Sequence, residues 1–371
     1  MTDISKSSQF HIKEANKNLA FRLIHENGTF SRADIKKITS LSATTVSSLV
    51  EELIADGFVE ECGVRKTNTS GRRAVMLKVK SDGGYFVGLD VRKDVIKADL
   101  YGLDFSLEKS IERSVCESGS LAMGIMQAIG VLSRGKKLLG VTIGLPAVID
   151  QKTNSIVSST VLASDDADDI YSILKEAMPD VDVYLKNNSG LIALAEKQFG
   201  NHGEGDNLIS VDINDGVGAG ILVNGEIYEG NGMGGEFGHI SVDFNGRRCK
   251  CGSYGCLELY ASIPEMLSLA DCMDLSQFKA KIDKGEDGGV LKKAARALAF
   301  GINNIVNLLD PEIIVIGGSV VMLGDAFLDA VKQSFCEIAL IKDKKIVYTN
   351  LEQNPVTLGG ARFSFDRMFG A

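Results

Sequence analysis

The chain has 371 residues, 44% of them hydrophobic, and a formal net charge of −9, which is enough material for two or three domains with sizeable cores. No stretch approaches the ~18 uninterrupted apolar residues of a membrane span, and the polar opening MTDISKSSQFHIKEANKN has no apolar signal-peptide core. Seven cysteines, an odd number with one tight cluster, fit a reducing cytosol better than a disulfide framework. Charge is spread unevenly. Residues 1–80 carry 13 Lys and Arg against 9 Asp and Glu, a net of +4, while the remainder carries 27 against 40, a net of −13. An acidic body repels phosphates, so nucleic-acid contact is expected only in the first eighty residues.

In chain order, Ile12 to Glu26 reads as a helix with Leu19, Ala20, Leu23 and Ile24 at helical spacing, and Asn27-Gly28 stops it. Ser31 is placed to cap a second helix, with Asp34 in its first turn. TSLS at 39–42 turns the chain into a third helix with an apolar stripe of Val46, Leu49, Val50 and Leu53. The other face of that helix presents Thr44, Thr45, Ser47 and Ser48, small hydrogen-bonding groups. This is the layout of a helix-turn-helix whose second helix enters the major groove near its N-terminal end. Ser42, Thr44, Thr45 and Ser48 are the candidate base-facing residues. Strands at 57–61 and 74–79 then enclose a basic loop. A wing of this kind would bring Arg65, Lys66, Arg72 and Arg73 to phosphates or the minor groove. The plainer alternative is a small helical protein-interaction module with a solvated charged loop.

From Tyr85 short β-rich runs alternate with helical ones, an α/β pattern. A strand at 85–90 ends in Asp90 and a second at 95–101 returns; about 120 residues later a strand at 208–212 ends in Asp212 and another at 218–223 returns. The recurrence predicts a duplicated, two-lobed body with a ligand site in the cleft. Helices are expected at 119–134, 188–199, 262–270, 290–309 and 324–338, and a further buried strand at 312–316 leads into Gly317-Gly318-Ser319. The acidic tract 164–169 reads as a solvated loop. The most distinctive stretch is GGEFGHISVDFNGRRCKCGSYGCLE at 234–258. His239, Cys249, Cys251 and Cys256 make a nitrogen-plus-three-thiolate set, a usual closed structural zinc site, and Gly252 and Gly255 allow the tight turns that converge the sulfurs. Cys62, Cys116, Cys272 and Cys336 stand alone and read as ordinary thiols.

These features together resemble the ROK family (repressor, open reading frame, kinase), bacterial repressors and sugar kinases, in its xylose-repressor and N-acetylglucosamine-repressor-like branch. The resemblance covers essentially the whole chain and is most specific in the family's GEIGH and CxCGxxGCxE motifs. It implies an α/β fold with an N-terminal winged helix-turn-helix followed by a two-lobed actin-like ATPase (ribonuclease H-like) body. The domains would be residues 1–80, a first lobe of 81–185 with 354–371, and a second lobe of 186–353 holding the metal. On that match Zn2+ sits on His239, Cys249, Cys251 and Cys256, and Asn187, Asn188, Glu236, His239 and Glu258 contact a sugar. The histidine serves both, one ring nitrogen on metal and the other toward sugar, since fixing one fixes the donor direction of the other. Gly144–Asp150 resembles the family's GxPGxxD loop at the cleft edge, with Ala147 in place of a glycine.

The departures matter as much. Where kinase members have a DxGGTK-like loop, this chain reads Asp90-Val91-Arg92-Lys93-Asp94; where they have GTGVGGG, it reads Asn214 to Gly220 with Asp215 inserted as a charge. The kinase E-N-D-A-N pattern, whose aspartate is the general base, becomes Lys186-Asn187-Asn188-Ser189-Gly190. An amide cannot accept and hold a proton at neutral pH. The expectation is therefore a non-enzymatic, cytoplasmic, bacterial regulator. It would bind a double-stranded DNA operator as a homodimer, with a tetramer as the larger alternative, and respond to a free sugar without phosphorylating it. The competing reading is an ATP-dependent ROK sugar kinase with an accessory DNA-binding head.

Overall fold

The computed structural model describes residues 3–65, 74–115, 120–159, 162, 170–203 and 205–370. Lys66, Arg72, Arg73, Cys116 and the acidic tract 164–169 lie outside the described residues. Two compact units emerge: residues 1–145, 160–185 and 360–371 form one, and residues 146–159 and 186–359 the other.

The first unit begins with α1 (Asp3–Asn27), β1 (Phe30–Ser31), α2 (Arg32–Thr39), α3 (Ala43–Ala55), β2 (Val59–Val64) and β3 (Val75–Val79). Ser31 and Asp34 make a reciprocal capping box at the start of α2, and Ser40 ends that helix in the left-handed conformation (φ 58°). The expected stripe of α3 is its buried face: Val46, Leu49, Val50 and Leu53. Lys13 and Lys17 of α1 pair with Glu52 and Asp56 at 2.8 Å each, fixing α1 across α3. The three strands order β1-β3-β2, a winged helix-turn-helix sheet. The Arg65 N–H donates to Ala74 O at 2.9 Å and closes the base of the wing.

The body follows with β4 (Tyr85–Val91), β5 (Val95–Gly102), β6 (Leu107–Ser114), α4 (Leu121–Ser133), β7 (Leu138–Leu145), β8 (Val148–Asp150), β9 (Ser155–Ser158), α5 (Ile170–Ala177), β10 (Asp182–Asn187) and α6 (Asn188–Phe199). Next come β11 (Leu208–Ile213), β12 (Val217–Val223), β13 (Glu226–Ile227), α7 (Glu258–Ala261), α8 (Ile263–Leu269), α9 (Leu275–Lys284), α10 (Val290–Leu309), β14 (Ile313–Gly317), α11 (Asp325–Ile338), β15 (Lys345–Tyr348) and α12 (Pro355–Phe369). The two large sheets order β6-β5-β4-β7-β10 and β13-β12-β11-β14-β15. In each, the strand ending at the aspartate lies antiparallel to its successor and parallel to a later strand. The duplication read from the Asp90 and Asp212 strands is thus a duplication of topology.

The head is held to the first unit's body by aromatic packing. Phe21 of α1 stacks against Phe365 and Phe369 of α12 at centroid distances of 5.9 and 4.2 Å, and Phe58 meets Phe369 edge-on at 5.5 Å. His25 joins Phe365 at 4.8 Å and Phe105 at 5.5 Å. Lys137 covers the Phe58 ring and donates to Asp56 O at 3.0 Å. Phe21 is fully buried, so Phe21→Ala is expected to cost about 3–5 kcal/mol, read as a loss of the earliest transition in urea unfolding. Burial, aided by the Arg362 charge, holds the His25 imidazole below its ordinary 6.5. Below that value the unfolded chain binds the proton that the folded chain refuses, so stability falls as pH drops through this window. His25→Leu is expected to flatten that acid limb; an unchanged limb assigns it elsewhere.

Candidate functional site

The candidate metal-binding cluster is built by a short, irregular stretch that needs its glycines. His239 ends a 3-10 turn, Phe237–His239, and single bridges pair Ser241 with Cys256 and Arg248 with Tyr254. The Cys249 N–H donates to Ser253 O at 2.8 Å and the Gly252 N–H to Cys249 O at 2.9 Å, a tight turn with Gly252 at φ +97°. Gly255 (φ +63°) lies so close to Asp243 that a Cβ would sit 1.7 Å from its carbonyl oxygen. Phe237 and Leu257, the neighbours of the two ends, both pack onto Gly301 of α10.

The four donors converge. The ligand atoms of His239, Cys249, Cys251 and Cys256 all lie within 4.8 Å of one another, with Cys251 Sγ 3.6 Å from Cys256 Sγ and Cys249 Sγ 3.8 Å from His239 Nδ1. Tetrahedral zinc with sulfur at ~2.3 Å asks for sulfur–sulfur separations of ~3.8 Å, so the donor set fits that ion. Burial, with neighbouring thiols, pushes the Cys256 thiol up to about 12, and burial also raises Cys249; the Ser253 backbone N–H lowers Cys251. Two of the three thiols therefore need a cation to become thiolates.

Glu258 ties the cluster to the candidate sugar residues. Its Oε1 accepts from Cys249 Sγ at 3.2 Å and lies 3.6 Å from His239 Nδ1. With Nδ1 toward the thiols, His239 has Nε2 as its second nitrogen. Glu258 Oε2 lies 3.7 Å from where a Cβ on Gly216 would stand, so His239, Glu258 and the Gly216 loop are neighbours. Glu236 is exposed at the start of the 3-10 turn that carries His239. Asn187 serves as a helix cap: its Oδ1 accepts from the Ser189 N–H at 2.9 Å while its Nδ2 donates to Ala147 O at 3.0 Å. Asn188 is the first residue of α6, whose start is pressed against β12 because a Cβ on Gly220 would stand 1.9 Å from Ser189 O.

The two loops that differ from the kinase pattern are each occupied by side-chain contacts. In the first unit Asp90 is fully buried and Arg92 covers it, Nη2 at 2.9 Å and Nε at 3.1 Å. In the second, Asn214 Oδ1 accepts from Ser319 N–H and Oγ at 2.8 and 2.7 Å while its Nδ2 donates to Asp212 at 2.6 Å.

On the head, Ser42 caps α3 by accepting from the Thr45 N–H at 3.1 Å, and Ser42, Thr44, Thr45 and Ser48 are all exposed. Arg65 pairs with Asp34, Nη1 to Oδ1 at 3.1 Å. Burial alone would raise the Asp34 carboxyl, but hydrogen bonds from Arg65 and Ser31 outweigh it and hold the group low. The sequence reading misses, in the site, the Glu258 contact with Cys249 and the buried Lys186 with its partners Glu229 and Gln151, as it misses the long-range pairings of Arg65, Asn187 and Phe21. An ionisable residue directly after the apolar run Val183–Leu185 is the available signal for the second.

Among the described residues no helix is long and apolar enough to cross a membrane. The ROK family model matches residues 88–362. The xylose repressor of Bacillus subtilis (strain 168) is 30% identical over 382 residues, covering 97% of each chain. A solved ROK family transcriptional regulator, described as a homolog of the E. coli MLC protein, aligns over 97% of both chains with a TM-score of 0.82 at 24% identity. The ROK hexokinase from Thermus thermophilus aligns over 75% of this chain and 96% of its own with a TM-score of 0.66 at 23% identity. The chain, from its capped helix-turn-helix to its four-donor cluster, belongs to the ROK family.

Proposed function

We propose that this protein is a sugar-responsive, DNA-binding transcriptional repressor whose body binds a free sugar and does not phosphorylate it. One observation carries the reading: a winged helix-turn-helix with a small polar recognition face is packed through Phe21, Phe365 and Phe369 onto a ROK body. Kinship with a repressor named for xylose, at 30% identity over nearly the whole chain, supports it. The contacts of Arg92 on Asp90 and of Asn214 on Ser319 support the loss of kinase chemistry, as does an amide at Asn188 in place of a base. In this reading Zn2+ occupies His239, Cys249, Cys251 and Cys256 and acts structurally, orienting His239. Glu236, His239 and Glu258 accept and donate to sugar hydroxyls, Asn188 adds an amide, and Asn187 holds Asn188 in place.

The head binds as a homodimer to an operator of two half-sites. Thr44, Thr45 and Ser48 face base edges, and the wing with Lys66, Arg72 and Arg73 meets the backbone. Sugar changes operator affinity because it binds one arrangement better than the other. Helix α12 has residues in both compact units. The first turn of α12 belongs to the second unit, where a Cβ on Gly359 would stand 2.0 Å from Leu191 O of α6. Its far end belongs to the first unit and carries Phe365 and Phe369 onto the head.

A mobility-shift titration on the DNA upstream of the protein's own gene, with and without D-xylose, tests the reading. Salt-sensitive binding weakened by the sugar is expected; absence of binding across all adjacent promoters overturns it. Arg72→Ala is expected to weaken operator binding and to reduce the slope of log affinity against log salt by about one; an unchanged slope removes the wing from the interface. Cys251→Ser is expected to abolish stoichiometric zinc, measured by metal analysis, and to weaken the sugar response more than basal DNA binding. Normal induction by the metal-free variant contradicts the role given to the ion.

A further inference from the structure

Strand β10 carries an ammonium at its penultimate position, Lys186, where an apolar side chain would be the cheaper choice. Lys186 is only 5% exposed, and burying a charge costs several kcal/mol unless its donors are satisfied. They are: Nζ donates to both Glu229 oxygens at 3.2 and 3.0 Å and to Gln151 Oε1. Those partners lie on two separate segments. Gln151 is in the turn of the β8–β9 hairpin. Glu229 opens the loop that runs to Glu236, and its carbonyl accepts from the Gly232 and Gly234 N–H groups at 2.8 and 3.0 Å.

The same two segments touch again where side chains are absent. Gly232 (φ +100°) lies against the hairpin so closely that a Cβ would stand 2.8 Å from Ile149 O. Asn187, next to Lys186, bonds the hairpin at Ala147 O. Hairpin, strand end and loop are thus joined at three points, and the only charged one is Lys186.

We propose that Lys186 is a positioning residue for the ligand site: with Glu229 and Gln151 it clamps the β8–β9 hairpin to the loop preceding Glu236, setting where Glu236 stands relative to Asn188. The inference rests on the sugar-sensing reading for what the site binds, but the clamp itself does not. Pre-organisation of this kind raises affinity by removing the cost of ordering the loop on binding. A substitution that keeps the length but loses the charge frees both segments at once, whereas arginine, still a cation, retains the bridge.

The test uses the full chain with zinc bound, in the variants Lys186→Met, Lys186→Arg, Glu229→Gln and the exchange pair Lys186→Glu with Glu229→Lys. Hydrogen–deuterium exchange is read at 147–158 and 228–236, with α3 and α10 as references. Lys186→Met and Glu229→Gln are expected to speed exchange in both segments at least tenfold and leave the references unchanged; Lys186→Arg and the exchange pair restore protection. In calorimetry, the D-xylose dissociation constant is expected to rise at least tenfold in Lys186→Met and return in Lys186→Arg. The clamp is overturned if exchange in the two segments is unchanged in Glu229→Gln, or if arginine fails to restore it. It is also overturned if D-xylose affinity is indifferent to Lys186→Met. Should the parent chain not bind D-xylose at all, the choice of that sugar fails while the exchange measurements still decide the clamp.

Discussion

Four donors brought within 4.8 Å of one another are the constraint from which the rest of the candidate site follows. Three thiols and an imidazole have no reason to converge for packing alone, because burial leaves Cys249 and Cys256 reluctant to ionise and nothing apolar is gained by the exposed Cys251. A divalent cation would reverse that balance. In the thiol form Glu258 accepts from Cys249 Sγ at 3.2 Å and lies 3.6 Å from His239 Nδ1, so it stands beside the donors, and an ion on one imidazole nitrogen would set the direction of the other. The stretch folds into this form only because Gly252 and Gly255 adopt positive φ and Gly255 has no side chain to meet Asp243.

The second organising feature is the aromatic joint. The head alone is a small three-helix, three-strand module, and its core of Ala20, Phe21, Ile24, Ile35 and Val46 is completed by residues from the far end of the chain. Phe365 and Phe369 make α12 part of the head's core as well as part of the body.

Much of this was legible in the sequence where the determining residues are near one another. The Ser31–Asp34 cap, the α3 stripe and the convergence of the four candidate metal donors each lie within one short window, so local spacing points to them. The paired topology was legible because two strands ending in aspartate repeat the same local pattern. What escaped depends on distant residues. Arg65 reads as a wing cation for phosphates or the minor groove, and its pairing with Asp34, 31 positions away, is not visible in local spacing. Asn187 reads as a sugar ligand, and its side chain caps α6 and reaches Ala147, 40 positions away. Lys186 finds Glu229, 43 positions away, and Phe21 finds a helix at the opposite end of the chain. Strand and helix periodicity says which face is inward, but not which inward face it meets.

The account stands on a body that recognises sugar without transferring phosphate to it. Coupled ADP release with ATP, Mg2+ and saturating D-xylose, glucose and other free aldoses tests that most directly. The account predicts no sugar-dependent ADP formation with any sugar that shifts the protein's melting temperature. Sugar-dependent turnover that disappears in Asp90→Asn would contradict it and make the protein a kinase with a DNA-binding head.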